Sequence, residues 1–117
     1  MPLLRFTLLI VAAVSLAAPA LADTTQVTFE QDGLNRTFLL TVPDGLDGPA
    51  PLVLALHGVL ETDESMHERV TRTRLDVLAE RFGFVVAYPS AWGRVWNLSE
   101  GEGARQLLPK RADIAFL

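Results

Sequence analysis

Polar and apolar residues alternate in Thr25-Gln26-Val27-Thr28-Phe29-Glu30, so Val27 and Phe29 mark one face of a half-buried strand. Asp32-Gly33-Leu34-Asn35 turns the chain. Arg36 to Val42 then continues as a second strand, giving a hairpin whose turn is expected to exceed two residues. Residues 43–51, PDGLDGPAP, are dense in proline and glycine and read as a surface loop. Next, Leu52, Val53, Leu54, Ala55 and Leu56 are continuously apolar, the pattern of a parallel strand covered on both faces. Ser65-Met66-His67-Glu68 has the spacing of a capping box, and Leu75, Leu78, Ala79 and Phe82 recur at helical spacing before Gly83. Thr71 and Thr73 are poor helix formers, so a break at 71–73 fits, with Thr73 able to cap the helical stretch after it. Phe84 to Pro89 is a second apolar strand, whose outer side is expected to be an unpaired apolar edge. Strand, helix and strand make one right-handed βαβ unit.

The ends of the chain read differently. Arg5, the apolar run Phe6–Leu16 and the small residues Ala20 and Ala22 form the pattern of a secretory signal peptide, residues 1–22, cut before Asp23. The apolar run is short for a membrane span, which wants about 20 residues. The mature part, 23–117, is then expected to be secreted or periplasmic, with no membrane partner after cleavage. Arg5 is the one base before the cut and no acid precedes it. Nine bases against 14 acids remain, a formal net charge of −5, which argues against nucleic acid as a partner. Cysteine is absent, so stability rests on packing rather than disulfides. The tail from Ser90 to Arg111 lacks periodicity and reads as a long loop with two tryptophans, while Ala112 to Leu117 begins an apolar segment with helical character.

Candidate chemistry begins where the first buried strand stops. His57-Gly58 stands at a strand carboxyl end, where ligands bind in open α/β sheets. Glycine there allows a sharp turn and close backbone approach. The amide of Val59 can then point into a site and receive the negative oxygen of a tetrahedral acyl intermediate. On its own, the pair is equally a glycine turn beside a histidine bonded to backbone.

Taken together, "PLVLALHG", "LDVLAERFGFVVAYP" and "VWN", in this order and spacing, resemble the secreted polyhydroxybutyrate depolymerase and feruloyl esterase group of α/β-hydrolases. "RTFLLTVP" resembles the strand that leads into that group's first loop. The resemblance runs from about Arg36 to Leu117. It implies an α/β fold: the N-terminal portion of an α/β-hydrolase sheet, a hairpin plus one βαβ unit, incomplete. It also implies a serine-type carboxylic ester hydrolase acting on an ester or polyester by acyl transfer to water, without cofactor or metal. Val59 then matches the oxyanion-hole donor through its backbone N–H. Gly58 permits the turn, and His57 supports the loop without serving as the base. Where relatives carry a further glycine or a cysteine after His-Gly, this chain has Val59, whose branched side chain narrows the space beside the donor.

The nucleophile of such enzymes lies in a G-x-S-x-G elbow. Ser65, Ser90 and Ser99 all lack the flanking glycines, and no such elbow occurs in the 117 residues. The triad serine, acid and base are therefore expected beyond Leu117, and the chain alone is expected to be inactive. Trp92, Trp96 and Asn97 could line a substrate cleft, or the tryptophans could simply cover the sheet edge. A second expectation is a secreted, non-catalytic module that binds polymer through the Trp92 and Trp96 loop. A Ser90–His57 dyad lacks an orienting acid. His57, His67, Asp63 and Glu64 fit no zinc spacing. Arg69, Arg72 and Arg74, interleaved with Glu68 and Asp76, read as a solvated helix face. Asn35-Arg36-Thr37 and Asn97-Leu98-Ser99 are glycosylation sequons.

Overall fold

The computed structural model describes residues 22–98 and 113–117. The expected signal peptide up to residue 21 and the glycine-rich part of the tail, residues 99–112, fall outside the described residues. Strands β1 (Asp23–Gln31) and β2 (Leu34–Val42) pair antiparallel, with Gln31 opposite Leu34. The turn is therefore Asp32-Gly33 alone, shorter than expected. Both residues have positive φ, 52° and 71°. That is the mirror-image turn whose twist suits a two-residue hairpin, and Asp-Gly is a favoured pair for it.

Strand β3 (Leu52–Leu54) lies parallel to β4 (Val85–Pro89), and β4 also pairs antiparallel with β2, Phe38 facing Pro89 and Thr41 facing Val86. The sheet order is β1-β2-β4-β3, a mixed four-stranded sheet with a few helices, compatible with an α/β fold. This corrects the sequence reading in two places. β4, expected to leave an apolar edge bare, is the strand shielded on both edges. The sheet's edges are β1 and β3, and the three residues of β3 are between 37 and 57 % exposed. A continuous apolar run predicts two covered faces. Here, among the described residues, a helix packs on one face only.

Helical structure begins at residue 63, earlier than the Ser65 box implied. Thr62 and Ser65 cap reciprocally: Ser65 N–H donates to Thr62 Oγ1 at 3.1 Å, and Thr62 N–H donates to Ser65 Oγ at 3.0 Å. The box is real but sits three residues upstream, with Ser65 in the place usually taken by Glu or Gln. A π-helical turn, Ser65–Val70, comes next, with Thr71 N–H reaching back to Met66 O at 2.9 Å. Arg72 and Thr73 both take positive φ, 50° and 55°, and end it. Thr73 precedes α1 (Arg74–Phe82), yet its side chain makes no capping hydrogen bond. Gly83, at φ 69°, closes α1 with N–H donated to Ala79 O at 2.8 Å, as its position after Phe82 predicts.

The inward face of α1 differs from the expected leucine stripe. Asp76 and Ala79 are buried and Leu75 is partly so, whereas Leu78 and Phe82 are exposed. Asp76 is thus no solvated surface charge. Its Oδ1 accepts from Thr41 Oγ1 at 3.0 Å and from the Tyr88 hydroxyl at 2.9 Å, and its Oδ2 accepts from His67 Nε2 at 2.5 Å. A carboxylate only accepts, so His67 Nε2 must carry a proton. The single hydroxyl proton of Thr41 is spent on Asp76, so in the 2.8 Å contact between Thr24 and Thr41 hydroxyls, Thr24 donates. Burial first, then the Asp76 hydrogen bond, pushes the Tyr88 phenol well above its ordinary value of 10.0 and keeps it neutral. Around this network pack Ala55, Ala79, Val86 and Tyr88, flanked by Leu39, Met66, Leu75 and Phe84.

On the opposite face, Phe29, Phe38, Leu40, Leu52, Leu54, Ala87 and Pro89 line an apolar groove of about 350 Å³, together with Phe116 and Leu117. Residues 113–117 form one turn, Leu117 N–H to Asp113 O at 3.1 Å, anchored by a buried Arg36–Asp113 ion pair at 2.5 Å. The Arg36 guanidinium also lies 4.0 Å from the Phe116 ring centre.

Replacing Asp76 by Ala should strand three donors from three separate elements, the buried Thr41 and Tyr88 and the partly buried His67. We expect a loss of about 3 kcal/mol in urea unfolding, the scale of breaking a buried network. A loss below about 1 kcal/mol would show that the network is not holding the helix to the sheet.

Candidate active-site loop

β3 gives way to the loop after Ala55, whose N–H still bonds Ala87 O at 2.9 Å. His57 lies in this loop and is buried. Its two ring nitrogens are both used. Nε2 accepts from Ala91 N–H at 3.0 Å, and Nδ1 contacts Gly58 O at 2.7 Å. An amide can only donate and a carbonyl only accept, which selects the neutral tautomer with hydrogen on Nδ1. The carbonyl of His57 accepts the Trp96 indole N–H at 2.9 Å, and the two rings lie 4.9 Å apart.

These bonds set the direction of one amide. The peptide between Gly58 and Val59 is trans, so its carbonyl and N–H point opposite ways. His57 Nδ1–H and Glu61 N–H, the latter at 3.2 Å, hold the Gly58 carbonyl. Val59 N–H is therefore directed away from the His57 ring. Among the described residues it donates to nothing. Gly58 has room beside it: a Cβ there would meet Glu61 Cγ at 3.9 Å, an ordinary contact. The turn itself does not demand a positive φ at Gly58; it places that demand on Leu60, at φ 63°.

A second set of bonds ties the loop to the segment after β4. Leu60 N–H donates to Arg94 O at 2.8 Å, the Arg94 guanidinium donates back to Leu60 O, and Arg94 N–H donates to Ala91 O at 3.0 Å. His57, Ala91, Arg94 and Leu60 thus form one closed circuit. Sequence reasoning missed Ala91 and Arg94, because both act largely through backbone groups that no side-chain motif reveals.

The other sequence-derived residues divide. Trp92 is 51 % exposed and open to a ligand. Trp96 is turned inward onto His57. Asn97 is buried, its N–H given to Asp113 Oδ2 at 2.8 Å and its carbonyl taken by Asp113 N–H at 2.8 Å. Of the three residues expected at a cleft, Trp92 alone presents its side chain to solvent. The buried Asn97 is also a poor glycosylation acceptor, whereas Asn35 is exposed. A Ser90–His57 dyad has no free ring nitrogen to use. His57 and His67 belong to separate networks, and among the described residues no group of three or more His, Cys, Asp or Glu could hold a metal ion.

Asp63, at the start of the helical segment after the loop, is buried, and its Oδ2 receives no hydrogen bond. Burial first, then the hydrogen bond and repulsion of Glu64, hold its carboxyl above the ordinary 3.8. Glu64 is held below 4.5, chiefly by the hydrogen bond from Asp63. A raised carboxyl value stabilises the fold most below pH 3.8, and that contribution is lost as pH rises through the raised value. Glu64, held low, works oppositely: its contribution is present above 4.5 and lost as pH falls. Asp63→Asn should therefore melt higher than wild type at neutral pH and converge with it in acid. Parallel melting profiles from neutral pH into acid would show that Asp63 is not a strained acid.

No protein-family model matches the chain, and no curated protein matches it. A solved structure, that of native pOPH, is similar at TM-score 0.47 and 21 % identity, covering 63 % of this chain and 22 % of that one. The chain thus spans about a fifth of the length of the structure it matches.

Proposed function

We propose that this chain supplies the oxyanion loop of a serine-type carboxylic ester hydrolase of the polyhydroxybutyrate depolymerase kind. The observation that carries this reading is the Val59 N–H in the loop at the carboxyl end of β3, undonated among the described residues and turned away from the His57 ring. In α/β-hydrolases one oxyanion donor comes from the loop after the third strand and the other from the residue after the nucleophile. Val59 occupies the first of these places. The second donor and the Ser, Asp and His of the triad would come from outside these 117 residues. The parent enzyme would be secreted or periplasmic, act on an ester or polyester, and need neither metal nor cofactor.

A second reading keeps binding without catalysis. It is favoured by Trp92, an exposed tryptophan in a segment braced to the loop after β3. In that reading Trp92 alone meets polymer, and Trp96 supports His57.

The two readings separate experimentally. The purified chain should not hydrolyse a nitrophenyl butyrate above background. A protein extended through a downstream G-x-S-x-G elbow should do so, and Val59→Pro in it should lower kcat by roughly 100- to 1000-fold, the value of one oxyanion donor. Full activity in that variant, or turnover by the 117-residue chain, would refute the assignment. For the binding module, Trp92→Ala should abolish retention on insoluble polymer while melting stays near wild type. Trp96→Ala should lower the melting temperature. Retention unaffected by Trp92→Ala would eliminate the module.

A further inference from the structure

The turn that aims Val59 carries an unusual residue. Glu61 N–H closes it onto Gly58 O, and its third position has positive φ, a place that ordinarily takes Gly or Asn. Leu60 stands there at φ 63°, with its side chain 63 % exposed. Its hydrogen-bonded partner, Arg94, is also left-handed, at φ 64°. Two non-glycine residues are thus held in a costly conformation against each other, and neither side chain is buried in return. A leucine in that position, pointing into water, contributes nothing to the core. Val59, at 71 % exposed, precedes it, and Trp92, two residues before Arg94, is exposed as well.

We infer that Leu60, with Val59 and Trp92, forms an apolar lip that receives the hydrocarbon part of an ester chain while Val59 N–H addresses its carbonyl oxygen. The inference rests on the ester-hydrolase reading and adds the residue that sets substrate class. A backbone donor bordered by aliphatic and aromatic surface, with the Arg94 guanidinium held on Leu60 O, matches a repeating ester, in which carbonyls alternate with short hydrocarbon units. It does not match a polysaccharide, whose hydroxyls would leave Leu60 and Val59 unpaired with anything apolar. Reciprocal bonding to Arg94 keeps the leucine in place in the absence of ligand.

The test uses the full chain and two solid surfaces, a poly(3-hydroxybutyrate) film and a cellulose film, with adsorption read by depletion from solution. Wild type should bind the polyester in preference to cellulose. Leu60→Gly relieves the positive-φ strain and removes the side chain, so its melting temperature should hold or rise while its polyester adsorption falls. The fall should be roughly ten-fold, the scale of withdrawing one leucine from an apolar contact. Leu60→Asn, also tolerant of that φ, should bind as weakly. Val77→Ser, on the exposed side of α1, should bind as wild type does. Selective polyester binding that survives both Leu60 substitutions would overturn the lip and leave the ester reading standing. Equal loss in Val77→Ser would reduce the effect to general stickiness and overturn the lip as well. No preference for polyester in wild type would remove the lip and the polyester reading together.

Discussion

One buried carboxylate holds the described part of this protein together. Asp76 takes hydrogen from Thr41 on β2, from Tyr88 on β4 and from His67 in the π-helical turn, while its own backbone belongs to α1. A burial of this kind is tolerable because each partner is a donor and each is itself fixed. Removing water from a carboxylate costs several kcal/mol unless its lone pairs are met. The apolar residues around it are small: Ala55, Ala79 and Val86 with the Tyr88 ring. With so little hydrocarbon at the centre, the position of α1 over the sheet depends on polar geometry more than on side-chain volume.

That arrangement reaches the candidate site through the backbone. β4 is held on both sides, by β2 and by β3, and residues 91–96 continue from it. Those residues bind His57 from one direction and Leu60 from another. The Val59 amide is thus oriented by two histidine nitrogens, a glycine carbonyl and a strap from the neighbouring strand. Few of these contacts involve charge. The donor's direction depends on peptide planarity and on a histidine tautomer.

Much of the architecture was legible in the chain because it is written in periodicity. Val27 and Phe29 give β1, the apolar runs give β3 and β4, and Gly83 ends α1. The features that escaped reading did so for physical causes. The run at Leu52–Leu54 looks fully covered because sequence records apolarity and not which neighbours are present to cover it. Asp76 looked like a surface charge because its three partners lie 35, 9 and 12 residues away in sequence. Asp32-Gly33 could have been read as a two-residue turn from its composition; starting the second strand at Arg36 hid it. At the site, His57-Gly58-Val59 was visible as a motif. The inward turn of Trp96 and the brace from Arg94 were not, since an exposed and a buried tryptophan look alike in sequence and a backbone bond leaves no residue signature.

The bonds that shape the loop span long stretches of chain. Ala91 N–H to His57 and Trp96 to His57 join residues 34 and 39 positions apart. Neither can form before β4 has taken its place beside β3, because the strap begins where β4 ends. Loop closure over such distances is slow relative to a hairpin or a helix. The hairpin β1–β2 and α1 can therefore assemble early from local contacts, while the histidine loop is completed among the last parts of the fold. The same logic runs in reverse: a brief detachment of residues 91–96 frees the loop while the hairpin remains intact. Amide exchange at Ala91 and Leu60 is therefore expected to outpace exchange along β2.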